Sequence, residues 1–247
     1  MIFRTRDFLK INSLREIAVR ARLYYYLARK RLKTLQETSD SYSVTVKHNL
    51  KGLSSCNNRV LDILMPLFSC ECFKPSGDTL IVGPRNEHDL FLYASLGGAW
   101  SKLRGIDLIS YSPKIDLGDM HSLPYPSASF DTIICGWTLS YSKQPSKAVD
   151  ELLRVLRPGG MISIGVEYSI MTPDDSRALQ STLDGDNYDL GFDDKGKRAL
   201  NSTADLKALL PENCLIFFEH DAPLKRSHDR YGLVPQPSRV SVVAQVF

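Results

Sequence analysis

The sequence is short of the features that mark several protein classes. No apolar stretch approaches the ~18–20 residues that a membrane-crossing helix requires; runs such as Leu61-Asp-Ile-Leu-Met65 are brief. Cysteine is sparse. Cys56, Cys70, Cys72, Cys135 and Cys214 form an odd set with no C-x-x-C pair and no histidine at zinc-finger spacing, which argues against a disulfide scaffold or a metal site and for reduced thiols in the cytoplasm. Neither charge dominates, with 31 Lys+Arg against 28 Asp+Glu and 43% hydrophobic residues, a balance that excludes disordered and collagen-like chains. The N-terminus has no apolar core of the kind a secretory signal needs. Its arginine-rich, acid-poor composition is shared with organelle transit peptides, so import stands as a secondary reading. What remains is a globular chain of 247 residues, long enough to bury roughly 70–75% of its unfolded surface without crosslinks.

The charge is unevenly placed. Residues 1–36 carry ten Lys/Arg against two acids, whereas the other 211 carry 21 bases against 26 acids. A basic arm is thus joined to a mildly acidic body. Within the arm, apolar or small residues recur at Ile11, Leu14, Ala18, Ala21, Tyr25, Ala28, Leu32 and Leu35 with no Gly or Pro between them. This spacing predicts a helical seam about 25 residues long with a broad cationic surface. Three uses of such a helix stay open: packing on its own domain, peripheral seating on an anionic membrane surface with Tyr24, Tyr25 and Tyr26 at headgroup depth, or docking a protein partner. Nucleic acid is not an expected partner, because no second basic patch accompanies the arm. The organisation read from the sequence is a basic amphipathic helical arm over 1–40, a connecting helical segment over 41–75 and a main domain over 76–247.

From residue 76, short apolar runs alternate with helical stretches. Residues 78–83 predict a buried strand ending in a glycine turn, 89–96 the helix after it, and 105–109 and 130–135 two further strands. Pro145 opens a helix with Val149, Leu152, Leu153 and Leu156 on one face. Arg157-Pro-Gly-Gly160 stops it before a strand over 161–166. Alternation of this kind predicts an α/β fold, a Rossmann-like, doubly wound, mostly parallel sheet, with ligands bound beyond the carboxyl ends of its strands. Residues 214–218 and 240–247 predict a closing antiparallel pair. Residues 168–200, acidic and without apolar periodicity, read as a lid or substrate insertion over the mouth of the sheet.

Three blocks carry a family resemblance: Gly118-Asp-Met-His-Ser-Leu-Pro-Tyr-Pro-Ser-Ala-Ser-Phe-Asp131, Ile133-Ile-Cys-Gly-Trp137 and Glu151-Leu-Leu-Arg-Val-Leu-Arg-Pro-Gly-Gly160. Over about residues 76–168 the chain resembles a class I S-adenosylmethionine-dependent methyltransferase with a domain of the type 11 kind. The resemblance implies a seven-stranded sheet, S-adenosylmethionine as cofactor, and a cofactor site at Gly83, Pro84, Arg85, Glu87, Asp107, Leu108, Asp119, Met120, Gly136 and Trp137. In it, Asp119 and Met120 stand where the family contacts adenine. Asp107, 24 residues beyond Gly83, also suits ribose on chemical grounds, since a carboxylate there can accept both hydroxyl protons.

The first motif departs from the family pattern of an acid followed by Gly-x-Gly-x-Gly. Ile81 stands in place of the acid, and Arg85 and Glu87 replace the second and third glycines. Three readings stay open: Arg85 and Glu87 pair with the carboxylate and ammonium of the cofactor's methionine, they pair with each other at the start of the helix, or they fill the pocket and abolish binding. An oxygen acceptor would also need a general base, for which Glu167, His121 and His220 lie near strand ends, with Tyr168, Asp221 and His228 beside them. Trp137 and Tyr141 are placed to flank the methyl donor or an acceptor ring. The expected function is S-adenosylmethionine-dependent methyl transfer to a small molecule, with a sugar or lipid-linked acceptor suggested by the arm alone. The alternative is a non-catalytic binding or scaffold module of the same fold that docks through its N-terminal helix. The Gly-x-Gly-x-x-Gly of a nicotinamide dehydrogenase is absent.

Overall fold

The computed structural model describes residues 5–35, 40–168, 200–221 and 238–247. The N-terminal part holds α1 (Thr5–Lys10), α2 (Asn12–Ala28), a two-residue strand β1 (Lys33–Thr34), α3 (Asp40–Lys51) and α4 (Leu61–Ser69). The body follows with β2 (Thr79–Val82), α5 (His88–Leu96), β3 (Leu103–Asp107), β4 (Ile109–Ser110), β5 (Ile115–Leu117), β6 (Phe130–Gly136), α6 (Pro145–Val155), β7 (Leu156–Tyr168), α7 (Thr203–Lys207), β8 (Cys214–His220) and β9 (Ser238–Val246). Seven strands form one sheet in the order β5-β3-β2-β6-β7-β9-β8. The first five in that order are parallel, and β9 lies antiparallel between β7 and β8, so the closing antiparallel edge is present as expected. Residues 169–199, nearly all of the predicted insertion, lie outside the described residues, as does His228.

The strand predicted through Ile109 is cut short at Asp107. The Ile109 amide donates to the Asp107 carboxylate at 3.2 Å, a side-chain-closed turn that draws the chain out of the ladder. Ile109 and Ser110 pair instead with β1 in a separate two-stranded ribbon. β5 is too short to leave a periodic pattern in the sequence.

All four residues of β2 are buried, as befits a parallel strand covered on both faces. Leu80, Val82, Ile133 and Ile162 cluster with Ala148, Val149, Leu152 and Val155 of α6 on one side. On the other, Ile81, Ile134 and Val243 cluster with Ile63, Leu64 and Leu67 of α4 and with Leu90 and Tyr93 of α5. The strand order reverses between β2 and β6, and their carboxyl ends open the crevice in which sheets of this kind hold ligands.

The basic helix packs on the body, but not along the seam its apolar spacing predicts. α2 buries Arg15, Val19 and Leu23, whereas Ile11 and Tyr25 are 48% and 53% exposed. Charge sets this register. Arg22 donates to the Glu87 carboxylate through Nε at 2.5 Å and Nη2 at 2.9 Å. Glu87 is fully buried and accepts from the Ser112 hydroxyl as well. The rings of Tyr26, Phe91 and Trp100 lie 5.4–5.9 Å from the Arg22 guanidinium, where their faces attract the cation. Arg15, 4% exposed, donates to the Leu9 carbonyl at 2.8 Å and to the side-chain oxygens of Asn12 and Asn58 at 2.5 and 3.1 Å. Periodicity counts arginines as solvent-facing because it cannot see partners 65 and 43 residues away. The helix is also shorter than the seam, since Lys30 takes a left-handed φ of 53° that stops it. Among the described residues, no helix is long and apolar enough to cross a membrane.

Loss of the Arg22 guanidinium would leave the Glu87 carboxylate buried without a countercharge. Arg22→Ala is therefore expected to lower the unfolding free energy by about 3 kcal/mol. Arg22→Lys should recover only part, because an ammonium cannot reproduce the two-pronged contact. Urea titration of the three proteins measures both differences.

Candidate functional site

The carboxyl ends of β2, β3 and β6, with the loops that follow them, enclose a cavity of about 500 Å³, a size that suits a cofactor-sized ligand. Of the residues expected at the cofactor, Gly83, Arg85, Asp107, Leu108, Asp119, Met120, Gly136 and Trp137 line it. Pro84 lines a smaller chamber of about 50 Å³ beside it. Glu87 lines neither.

Gly83 makes the floor. Its φ of +67° suits glycine, and a Cβ there would collide with the Thr138 side chain, whose hydroxyl donates to the Val82 carbonyl at 3.1 Å. The turn therefore needs a residue without a side chain for two independent reasons, and it leaves bare backbone at the cavity wall. Arg85, in place of the second glycine, adopts a left-handed conformation with φ 53°, at a cost of about 1 kcal/mol. Its amide donates to Asp107 at 2.9 Å, which holds the turn in place.

Every residue from Arg85 to His88 engages the N-terminal segment. The Arg85 guanidinium meets His48 of α3 at 3.1 Å and lies across Gly52, where a Cβ would clash with it. Asn86 donates to the carbonyls of Leu53 and Ser55 at 2.9 and 2.7 Å. Glu87 takes Arg22, and the His88 ring lies 3.1 Å from Asn58. Two readings of the altered motif are corrected by this arrangement. Glu87 does not approach the cofactor's ammonium, because its carboxylate is spent on α2 and Ser112, and the two replacements do not pair with each other.

Asp107, 4% exposed, accepts from the amides of Arg85 and Ile109 and from Asn49 Nδ2 at 3.1 Å. Burial raises its pKa above the usual carboxylate range, and these three hydrogen bonds oppose the rise. Opposite, Asp119 accepts from His121 through the backbone amide at 3.0 Å and meets its Nδ1 at 2.7 Å. His121 Nε2 lies 2.7 Å from the Ser142 hydroxyl, which accepts from the Gln144 amide at 3.1 Å. Of the three base candidates, His121 alone lines the cavity. Glu167 reaches it through Arg59, which donates to it at 2.7 Å, and His220 is exposed on the outer strand β8. Thr45, Asn49 and Arg59 also line the cavity. Nothing in the sequence marks them, because they stand outside the motif blocks and reach the site only when the N-terminal segment folds over it.

Residues 96–164 match a family model described as a methyltransferase domain. A stretch of 48 residues is 42% identical to the biotin biosynthesis bifunctional protein BioHC of Teredinibacter turnerae, covering 19% of this chain and 8% of that protein. The chain spans only 8% and 15% of the lengths of the curated relatives it matches. Among solved structures, the MccD protein superposes with a TM-score of 0.57 at 12% identity, over 75% of this chain and 96% of that one. The [4+2]-cyclase SpnF does so at 0.52 and 16%, over 86% and 96%. The fold is that of class I methyltransferases. The family match, over residues 96–164, makes S-adenosylmethionine the cofactor against which these residues are to be tested. The residues fit that cofactor: a side-chain-free turn at Gly83 on the cavity wall, a buried carboxylate at the end of β3 and a cavity of sufficient size meet at one place.

His88 is 2% exposed, and burial holds its pKa down at about 4. The folded protein thus binds this proton less tightly than the unfolded chain, with its ordinary value of 6.5. Its contribution to stability is fully present above pH 6.5 and is lost as the pH falls through about 4. Denaturant titrations between pH 4 and 8 should show wild type losing about 2–3 kcal/mol more than His88→Gln over that window.

Proposed function

We propose that the protein transfers a methyl group from S-adenosylmethionine to a small-molecule acceptor. The observation that carries this reading is the turn at Gly83, which lines the cavity without a side chain and whose Arg85 amide is held by Asp107. When bound, S-adenosylmethionine supplies an electrophilic methyl group on sulfonium, and its in-line displacement asks the protein mainly for proximity and orientation. In this reading Asp107 uses its remaining lone pairs for the ribose hydroxyls. Asp119 faces the adenine amino group, and Met120, Leu108, Gly136 and Trp137 shape the walls. Both ring nitrogens of His121 have partners, Asp119 and Ser142, so its role is to orient Asp119. The scaffold alternative drew on Arg85 and Glu87 as pocket-filling side chains; the contacts of Glu87 with α2 remove half of that ground.

The outer face of the arm supports a finer reading. Ile17, Tyr24 and Tyr25 are 59%, 60% and 53% exposed, and Arg20, Arg29, Lys30 and Arg31 are exposed beside them. Apolar and aromatic groups rimmed by cations suit an anionic lipid surface, and with it a lipid-linked acceptor.

Titration calorimetry tests the main reading. S-adenosylmethionine should bind, Asp107→Ala should weaken it about 10- to 100-fold, and Gly83→Ala should abolish it. Absence of heat with millimolar cofactor would overturn the reading. For the arm, deletion is the wrong experiment because Arg15, Val19 and Leu23 are buried. Charge reversal at Arg29, Lys30 and Arg31 should instead cut co-sedimentation with phosphatidylserine vesicles more than about tenfold; sedimentation equal to that of wild type would refute a membrane role.

A further inference from the structure

The chamber of about 50 Å³ lies among the Gly83 turn, the amino end of α5 and Trp137, and shares Gly83, Arg85, Arg59, Gly136 and Trp137 with the main cavity. Its walls hold two opposite charges that lie outside the motif blocks. Asp89, in the first turn of α5, accepts no hydrogen bond from the described residues. Arg59 enters from the loop before α4, its guanidinium held by Glu167 at 2.7 Å and by the Trp137 ring at 5.2 Å.

Resting on the methyltransferase reading, we propose that Arg59 and Asp89 are a zwitterion-recognising pair for the α-amino-acid end of S-adenosylmethionine, Asp89 accepting from the α-ammonium and Arg59 donating to the α-carboxylate. The family motif presents bare backbone to this end of the cofactor, and here two of its three glycines are replaced by Arg85 and Glu87, whose side chains contact His48 and Arg22. Recognition by side chains then falls to the charges that line the chamber. Asp89 is a half-buried carboxylate that accepts from no described donor, and an ammonium group supplies both a countercharge and donors for it. Arg59 is pre-oriented by Glu167 and Trp137, which lowers the entropy lost when it binds a carboxylate.

The chamber also has a pH signature. Burial pushes the Asp89 carboxyl up to about 7, with Asp107 adding to the rise and Arg59 and Arg85 opposing it. Cys56 is a further titratable group that interacts with Asp89, and His88 precedes it in the chain. An α-ammonium favours the ionised form of Asp89, so a ligand that carries one should bind more tightly as the pH rises through that value, and a ligand without one should not.

Titration of the full chain with S-adenosylhomocysteine and with 5′-methylthioadenosine, which lacks the amino-acid end, tests the pair. Wild type should bind S-adenosylhomocysteine at least about tenfold more tightly than methylthioadenosine. Asp89→Asn and Arg59→Gln should each close most of that gap while leaving methylthioadenosine affinity within about twofold. The wild-type preference should grow between about pH 6 and pH 8 and stay flat in Asp89→Asn. An unchanged ratio of the two affinities in both variants would overturn the pair, and so would a parallel loss of both ligands, which would mean a role in the fold of the site. If wild type binds neither ligand at millimolar concentration, the methyltransferase reading itself falls and takes the pair with it.

Discussion

The buried contact between Arg22 and Glu87 is the constraint on which the rest of the molecule hangs. A carboxylate with no exposed surface cannot remain ionised in the interior without a partner, so the residue that replaces the third glycine of the motif obliges helix α2 to lie against α5. Once α2 is there, the chain that follows has few places to go. Asn86 holds the carbonyls of Leu53 and Ser55, Arg85 meets His48, and Asn49 meets Asp107. The basic arm and the altered glycine motif, two unrelated oddities of the sequence, are the two halves of one interface.

That interface changes what the altered motif means. Long side chains in place of glycines would ordinarily block a nucleotide site. Here Glu87 leaves it for the arm, and Arg85 stays on the cavity wall with its guanidinium against His48 of α3, while Gly83, which admits no Cβ, is kept. The cost is stored in the backbone. Arg85 and Trp137 both line the cavity with left-handed φ values of 53° and 64°, and strain of this kind persists only where surrounding contacts over-determine it. Hydrogen bonds from the Arg85 and Trp137 amides to Asp107 and to the Gly165 carbonyl supply that restraint.

Fold and reaction remain separate questions on such a scaffold. A protein of the same fold is a [4+2]-cyclase, which shows that the sheet alone does not choose the chemistry. The choice rests with the groups around the cavity: the braced carboxylate of Asp107, the Asp119–His121–Ser142 chain of contacts, and the opposed charges of Arg59 and Asp89. Asp107 and Asp119 line the main cavity and Asp89 the chamber beside it, with Arg59 on the wall of both.

Much of the body was legible in the sequence because its determinants are local. Thr79–Val82, Phe130–Gly136 and Pro145–Val155 form where apolar runs and a helix-opening proline place them, although Arg157–Gly160, expected to stop the helix, lie within β7, which begins at Leu156; blocks such as Gly118–Asp131 carry their own turn chemistry. Asp107 could be nominated because it stands at the end of a recognisable strand, and Asp119 because it lies in a block that resembles the family's. The register of the arm, the destinations of Arg85 and Glu87, and the approach of Asn49 and Arg59 to the cavity were not legible. Each depends on a hydrogen bond or ion pair between residues tens of positions apart, and hydrophobic periodicity assigns such charged side chains to solvent. The sequence by itself determined the sheet, its order of elements and its acids; only the tertiary structure decided which charges are buried and against what, because the desolvation of a charge is settled by the partner that meets it.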